Sequence, residues 1–158
     1  MQKKISFLLK FFTIFVFGEI VIPFLPLRGI EDGITGIEAN ALNLQATGNT
    51  VLVGESNFLI NAYCIGTVSS LILLAIIFSL KRPELKTKIG LWAIGTAILF
   101  TVNLGRVYTV LWSGVRFGAQ TAEAVHIISW FVVSGIIIGL WYYLTKRIAK
   151  IEKFNELL

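Results

Sequence analysis

The sequence is short of charge and nearly devoid of cysteine and histidine. Asp, Glu, Lys and Arg make up 15% of its 158 residues, 56% are hydrophobic, and the mean hydropathy is +0.80. Soluble domains carry roughly 25% charged residues, so lipid is the solvent for most of this chain. A single cysteine excludes an intramolecular disulfide and a cysteine-rich zinc cluster. It leaves a packed thiol, a nucleophile or an intermolecular bridge. No internal repeat and no compositional break marks a second domain, so residues 1–158 read as one membrane domain. The net charge of +5 and pI near 9.5 would suit nucleic acid, but the basic residues lie in short blocks beside apolar runs. That distribution is one of membrane topology, and no nucleic-acid partner is expected.

Four apolar runs are present, at about 5–25, 63–80, 89–112 and 126–144. Each meets the roughly 20 residues that a helix needs to cross a bilayer core. The expected fold is therefore an all-α integral membrane protein with four transmembrane helices. The first run resembles a signal peptide in having Lys3 and Lys4 before it and Ala39-Asn40-Ala41 after it. It exceeds the roughly 7–15 apolar residues of such a peptide, and the small-residue site lies well past its end, so it is read as a retained span.

Flanking cations set the orientation. Of 14 Lys and Arg residues, 11 sit before or early in the first run, between the second and third, or after the fourth. Both termini are thus expected in the cytoplasm, with a multi-pass chain in the cell membrane. The outer loop, 26–62, is long enough for structure of its own. Ile34, Ile37, Ala41 and Leu44 recur at helical spacing and predict a short amphipathic helix lying on the bilayer. Residues 50–53 and 58–61 predict two strands of a small hairpin around Gly54-Glu55-Ser56-Asn57. The tail beyond Lys146, with Ile148, Ile151, Phe154 and Leu158 among lysines, is expected to continue the last helix along the inner surface.

Cys64 falls one residue into the second run, at a helix N-terminus near the outer interface, where backbone N–H groups stabilise a negative sulfur. Gly66 beside it is expected to leave room for a substrate backbone. A small buried hydrophobe is the other reading of this cysteine. His126 opens the fourth run at the same outer level, as a general base for the thiol or as an interfacial histidine without a task. Glu123, a turn earlier, is placed to orient its ring. Arg106 lies about 9 Å below the outer end of the third run, a position costing on the order of 2.5–3.5 kcal/mol, so a partner or a function is expected. Glu19, at similar depth in the first run, is the candidate ion-pair partner. Asn103, at i−3 on the same helix, is placed to assist Arg106 in stabilising an oxyanion.

At these residues the chain resembles the exosortase/archaeosortase family of membrane transpeptidases. Its pattern is a Cys-Ser/Thr-Gly segment opening one span, an Asn-x-x-Arg in the next and a His opening the last. Here these read Cys64-Ile65-Gly66, Asn103-Leu104-Gly105-Arg106 and His126, within a resemblance extending from Ala39 to Leu144. Ile65 departs from the hydroxyl residue of the pattern, and the four runs are about half the number in many members. The resemblance implies a membrane cysteine protease and transpeptidase with Cys64 as nucleophile, His126 as acid and base, and Arg106 stabilising the oxyanion or pairing with the thiolate. The implied substrates are secreted proteins bearing a C-terminal motif, apolar helix and basic tip, processed on the non-cytoplasmic face. Transfer would go through a thioester to an acceptor amine or lipid-linked nucleophile, with neither metal nor organic cofactor. Two other classes remain open: a non-catalytic transporter or complex subunit built around an Arg106–Glu19 pair, and an acyl- or lipid-transferase using the same thiol.

Overall fold

The computed structural model describes residues 2–148, so the expected surface helix beyond Ile148 lies outside the described residues. The chain is mostly helical. Helix α1 spans Gln2–Val21 and runs into a 3₁₀ turn, Ile22–Phe24; α2 follows at Arg28–Ala41. Strands β1 (Gln45–Thr47), β2 (Thr50–Val53) and β3 (Ser56–Leu59) form an antiparallel meander. Helices α3 (Thr67–Ser79), α4 (Leu85–Phe117) and α5 (Ala119–Ile148) complete the described residues.

Among the described residues, three helical stretches are long and apolar enough to cross a membrane, at Lys3–Phe24, Leu85–Phe117 and Ala119–Arg147. Their outward faces carry the residues a soluble protein would hide: Leu9, Phe12 and Phe17 on α1, and Phe131, Ile138 and Tyr142 on α5 are all more than half exposed. The second expected span is shorter than its apolar run. Only the 13 residues of α3 are helical, which at about 1.5 Å per residue falls short of a hydrocarbon core of about 30 Å. The third and fourth helices instead overrun their apolar limits and meet at Gly118, whose φ of +89° suits a residue without a side chain. This one-residue connection makes α4 and α5 an antiparallel pair.

Two apolar clusters divide the molecule. One runs along the bundle, where Leu73 and Ile77 of α3 meet Leu91 and Leu99 of α4 and Val133 and Ile137 of α5. Trp92 clamps α3 to α4 by donating to the Ser70 carbonyl at 3.3 Å, and the Ser70 and Thr96 hydroxyls lie 2.7 Å apart. The other cluster joins the sheet to the bundle: Val51 and Val53, alternating inward along β2, pack with Ile34 and Ala39 of α2 and Val107 and Leu111 of α4. Helix α2 thus buries Ile34, Thr35, Glu38 and Ala39 against protein, while Ile37 stays 66% exposed. The expected face through Ile37 is rotated because sheet and α4, not lipid, supply the packing partner. The strands also differ from expectation. A two-residue turn at Gly54-Glu55 pairs Val53 with Ser56, so β3 begins two residues earlier than the sequence pattern suggests.

Candidate functional site

Cys64 stands in the turn between β3 and α3, before the first helical residue, Thr67, and not inside a helix as expected. Asn61 opens that turn. Its carbonyl accepts the N–H of Cys64 at 2.8 Å and of Ile65 at 3.3 Å, and its side-chain oxygen accepts the N–H of Tyr63 at 3.1 Å. The side-chain bond is that of an Asx turn, and the positive φ of Gly66 separates the turn from the regular helix that follows. The thiol in turn faces the Leu59 carbonyl at 3.9 Å.

Gly66 leads from this turn into α3 with φ of +98°, and a Cβ there would sit 2.9 Å from Asn103 Nδ2. The space expected for a substrate backbone is filled by the Asn103 amide. Asn103 is buried, and Nδ2 donates to Ser69 Oγ at 3.2 Å and to the Leu99 carbonyl at 3.3 Å. An amide nitrogen has two hydrogens to give. Both are engaged here, and Asn103 ties α3 to α4.

Arg106, 6% exposed, reaches the cysteine turn: Nη2 donates to the Cys64 carbonyl at 3.4 Å. Nε and Nη1 are buried with no hydrogen-bond partner among the described residues. The expected Glu19 pair is not formed, for Glu19 Oε1 is likewise buried without a partner. Helix α1 packs on α3, where Gly18 meets Leu71, and its main contacts are with α3 and not with α4, which carries Arg106. Equal depth along two helices did not mean contact.

His126 lies about two turns inside α5, because that helix begins at Ala119 and not at the edge of the apolar run. Glu123 is exposed and makes no hydrogen bond to the ring among the described residues; the orienting partner is Trp130. Its indole Nε1 donates to His126 Nε2 at 3.0 Å, across the i, i+4 spacing that puts both on one helix face. The same indole stacks under Arg106, with Cζ 4.7 Å from the ring centroid, in a cation–π contact. Trp130 therefore touches both basic groups, and sequence reading passed over it as one aromatic among many. Its spacing from His126 was the available signal.

These residues enclose one small cavity of about 110 Å³, lined by Cys64, Arg106 and His126 with Phe58, Ile60 and Val110 among its apolar walls. A second cavity of about 320 Å³, lined by Ser56, Phe58, Gln120, Glu123 and His126, adjoins it through the shared Phe58 and His126. No family model, curated protein or solved structure matches this chain. The chemistry open to it follows from the site alone. A thiol, a buried guanidinium with two unspent nitrogens and an imidazole whose Nε2 accepts the Trp130 N–H suit nucleophilic attack on a carbonyl. Among the described residues no group of three His, Cys, Asp or Glu side chains could hold a metal ion.

Proposed function

We propose that this protein is a membrane-embedded cysteine transpeptidase of the exosortase/archaeosortase type, cleaving the C-terminal sorting signals of secreted proteins at the outer face of the cell membrane. The observation that carries this reading is the convergence of Cys64, Arg106 and His126, from three separate segments, on one cavity. In the reaction the thiol proton passes to His126 Nε2, which exchanges its indole bond for it. The sulfur bonds to the scissile carbonyl carbon, and the π electrons move to the oxygen. Arg106 stabilises that oxyanion through the nitrogens it has not engaged elsewhere. The C–N bond then breaks, the departing amine takes the proton from His126, and a thioester remains. An acceptor amine, free or lipid-linked, attacks the thioester, forms the new amide and restores the thiol; water in its place gives hydrolysis.

The topology belongs to the same reading. The block of Lys81, Arg82, Lys86 and Lys88 and the cations after α5 favour a cytoplasmic location for both termini. Helix α3 then makes the fourth crossing, its short length extended by the cysteine turn and the sheet above it. The competing non-catalytic subunit lacks its Arg106–Glu19 pair.

The test is co-expression of Cys64→Ala and Cys64→Ser variants with a secreted protein ending in a motif, an apolar helix and a basic tip. Processing should stop in both, and an acyl-enzyme trapped on the parent should carry peptide. Unchanged processing at normal protein levels rejects the proposal; a trapped fatty acid converts it to an acyltransferase.

A further inference from the structure

The sheet beside the cysteine turn has an open edge on β3, a strand that lines the larger cavity through Ser56 and Phe58 and the smaller one through Phe58 and Leu59. Strand order is β1-β2-β3, so among the described residues β3 has a strand neighbour on one side only. The register decides which of its backbone groups are free. Ser56 pairs with Val53 and Phe58 with Val51, and the Ile60 N–H continues the ladder by donating to the Asn49 carbonyl at 2.8 Å. That bond assigns the even-numbered residues to β2. In an antiparallel ladder the hydrogen-bonded positions alternate, so Asn57 and Leu59 turn their N–H and C=O groups away from β2. Both residues are exposed. The Leu59 carbonyl is the group that the Cys64 thiol faces. The open edge thus ends on the sulfur, whose thiol the Leu59 carbonyl accepts through one of its two lone pairs.

Across the larger cavity from β3 stand Gln120, Glu123 and His126 of α5, and this cleft leads past His126 to Cys64. We infer that β3 is a docking edge for an extended peptide, which adds as a fourth strand by pairing its main chain with Asn57 and Leu59 and so delivers a carbonyl carbon to the sulfur. The occupant follows from the groups presented. Outward main-chain donors and acceptors are matched by another main chain, whereas an acyl chain leaves them unsatisfied. A cleft of about 320 Å³ admits a few extended residues and not a second folded sheet. Recognition is then carried mainly by backbone, with side-chain selection at Phe58 and Glu123. The other edge strand, β1, lines neither cavity and packs beside α2. The inference rests on the proposed function only for the chemistry after docking.

The full chain, reconstituted in detergent micelles, tests it, because every thiol adduct reports the sole cysteine. The probes are acetyl-trialanyl chloromethyl ketone, the same reagent with N-methylated amides, and iodoacetamide. In the ketones the sulfur displaces chloride from the methylene carbon, forming C–S as C–Cl breaks. The unmethylated peptide should react roughly tenfold faster than its methylated form, as two net hydrogen bonds imply. Asn57→Pro removes an outward N–H without breaking a β2 bond and should erase most of that preference while leaving the iodoacetamide rate unchanged. Asn57→Ala, which keeps the backbone N–H, should retain it. Equal rates for the two peptides on the parent protein overturn the inference whatever the proline variant does, and so does a preference that survives Asn57→Pro. A preference lost on raising the protein concentration assigns the edge to a second copy and also overturns it. Peptide preference without processing of any secreted protein would sink the proposed function and leave the docking edge standing.

Discussion

Trp130 donates its indole N–H to His126 Nε2 at 3.0 Å. An indole nitrogen can only donate, so Nε2 must be the unprotonated nitrogen and the resting ring is the neutral Nδ1–H tautomer. The same ring lies under Arg106, which makes Trp130 the residue that holds the two basic groups relative to one another. The sole histidine gives a direct reading. In ¹⁵N spectra of labelled protein, Nδ1 should carry the proton, and Trp130→Phe, which keeps the aromatic face and deletes the donor, should shift the tautomer ratio roughly two- to twelvefold toward Nε2–H. A parent protein already in the Nε2–H form would contradict the bond.

The cysteine turn depends on Gly66 for two reasons, its positive φ and its contact with Asn103. Gly66→Ala should destabilise the protein by about 1–3 kcal/mol in thermal unfolding, with Asn103 displaced from Ser69. Gly105→Ala is the control. It is helical with open space at Cβ, so it should be neutral or stabilising by up to about 1 kcal/mol.

Arg106 combines charge, a planar stack on Trp130 and a reach to the Cys64 carbonyl. Lysine keeps the charge and loses the fork and the stack. On the proposed mechanism Arg106→Lys should therefore slow processing by roughly 10²–10³-fold, close to the effect of Arg106→Gln. Full activity in Arg106→Lys would reduce its role to a point charge.

Glu38, buried where α2 meets the sheet, has its carboxyl pushed above the ordinary glutamate range by desolvation. The folded state therefore holds this proton to higher pH than the unfolded state does. Stability falls as pH rises through that window, and the ionised group is unfavourable at neutral pH. Glu38→Gln should raise the unfolding temperature near pH 7, and the gain should vanish below about pH 4, where the carboxyl is protonated in both states. A gain that persists in acid would point to packing in place of charge.

Much of the arrangement could be read along the chain. Length and apolarity mark α1, α4 and α5 as membrane-crossing helices, and the outer halves of the expected spans hold Cys64, Arg106 and His126. What failed were statements about direction and about local structure. Glu19 matches Arg106 in depth but sits on the α1 helix that packs against α3. Asn103 shares a helix with Arg106 and engages Ser69 and Leu99. Asn61, unremarkable in the sequence, opens the turn that holds Cys64 ahead of α3.

The reason is geometric. Depth accumulates linearly along a helix, about 1.5 Å per residue, so composition and spacing settle which residues share a level. Rotation about the axis depends on which neighbour packs where, and that is decided by contacts distant in sequence, such as Gly18 on Leu71 and Val53 on Gly114. The cavity shared by Cys64, Arg106 and His126, the indole between the two basic groups and the free edge of β3 all depend on rotation and register, so they emerge only once the helices and strands are packed.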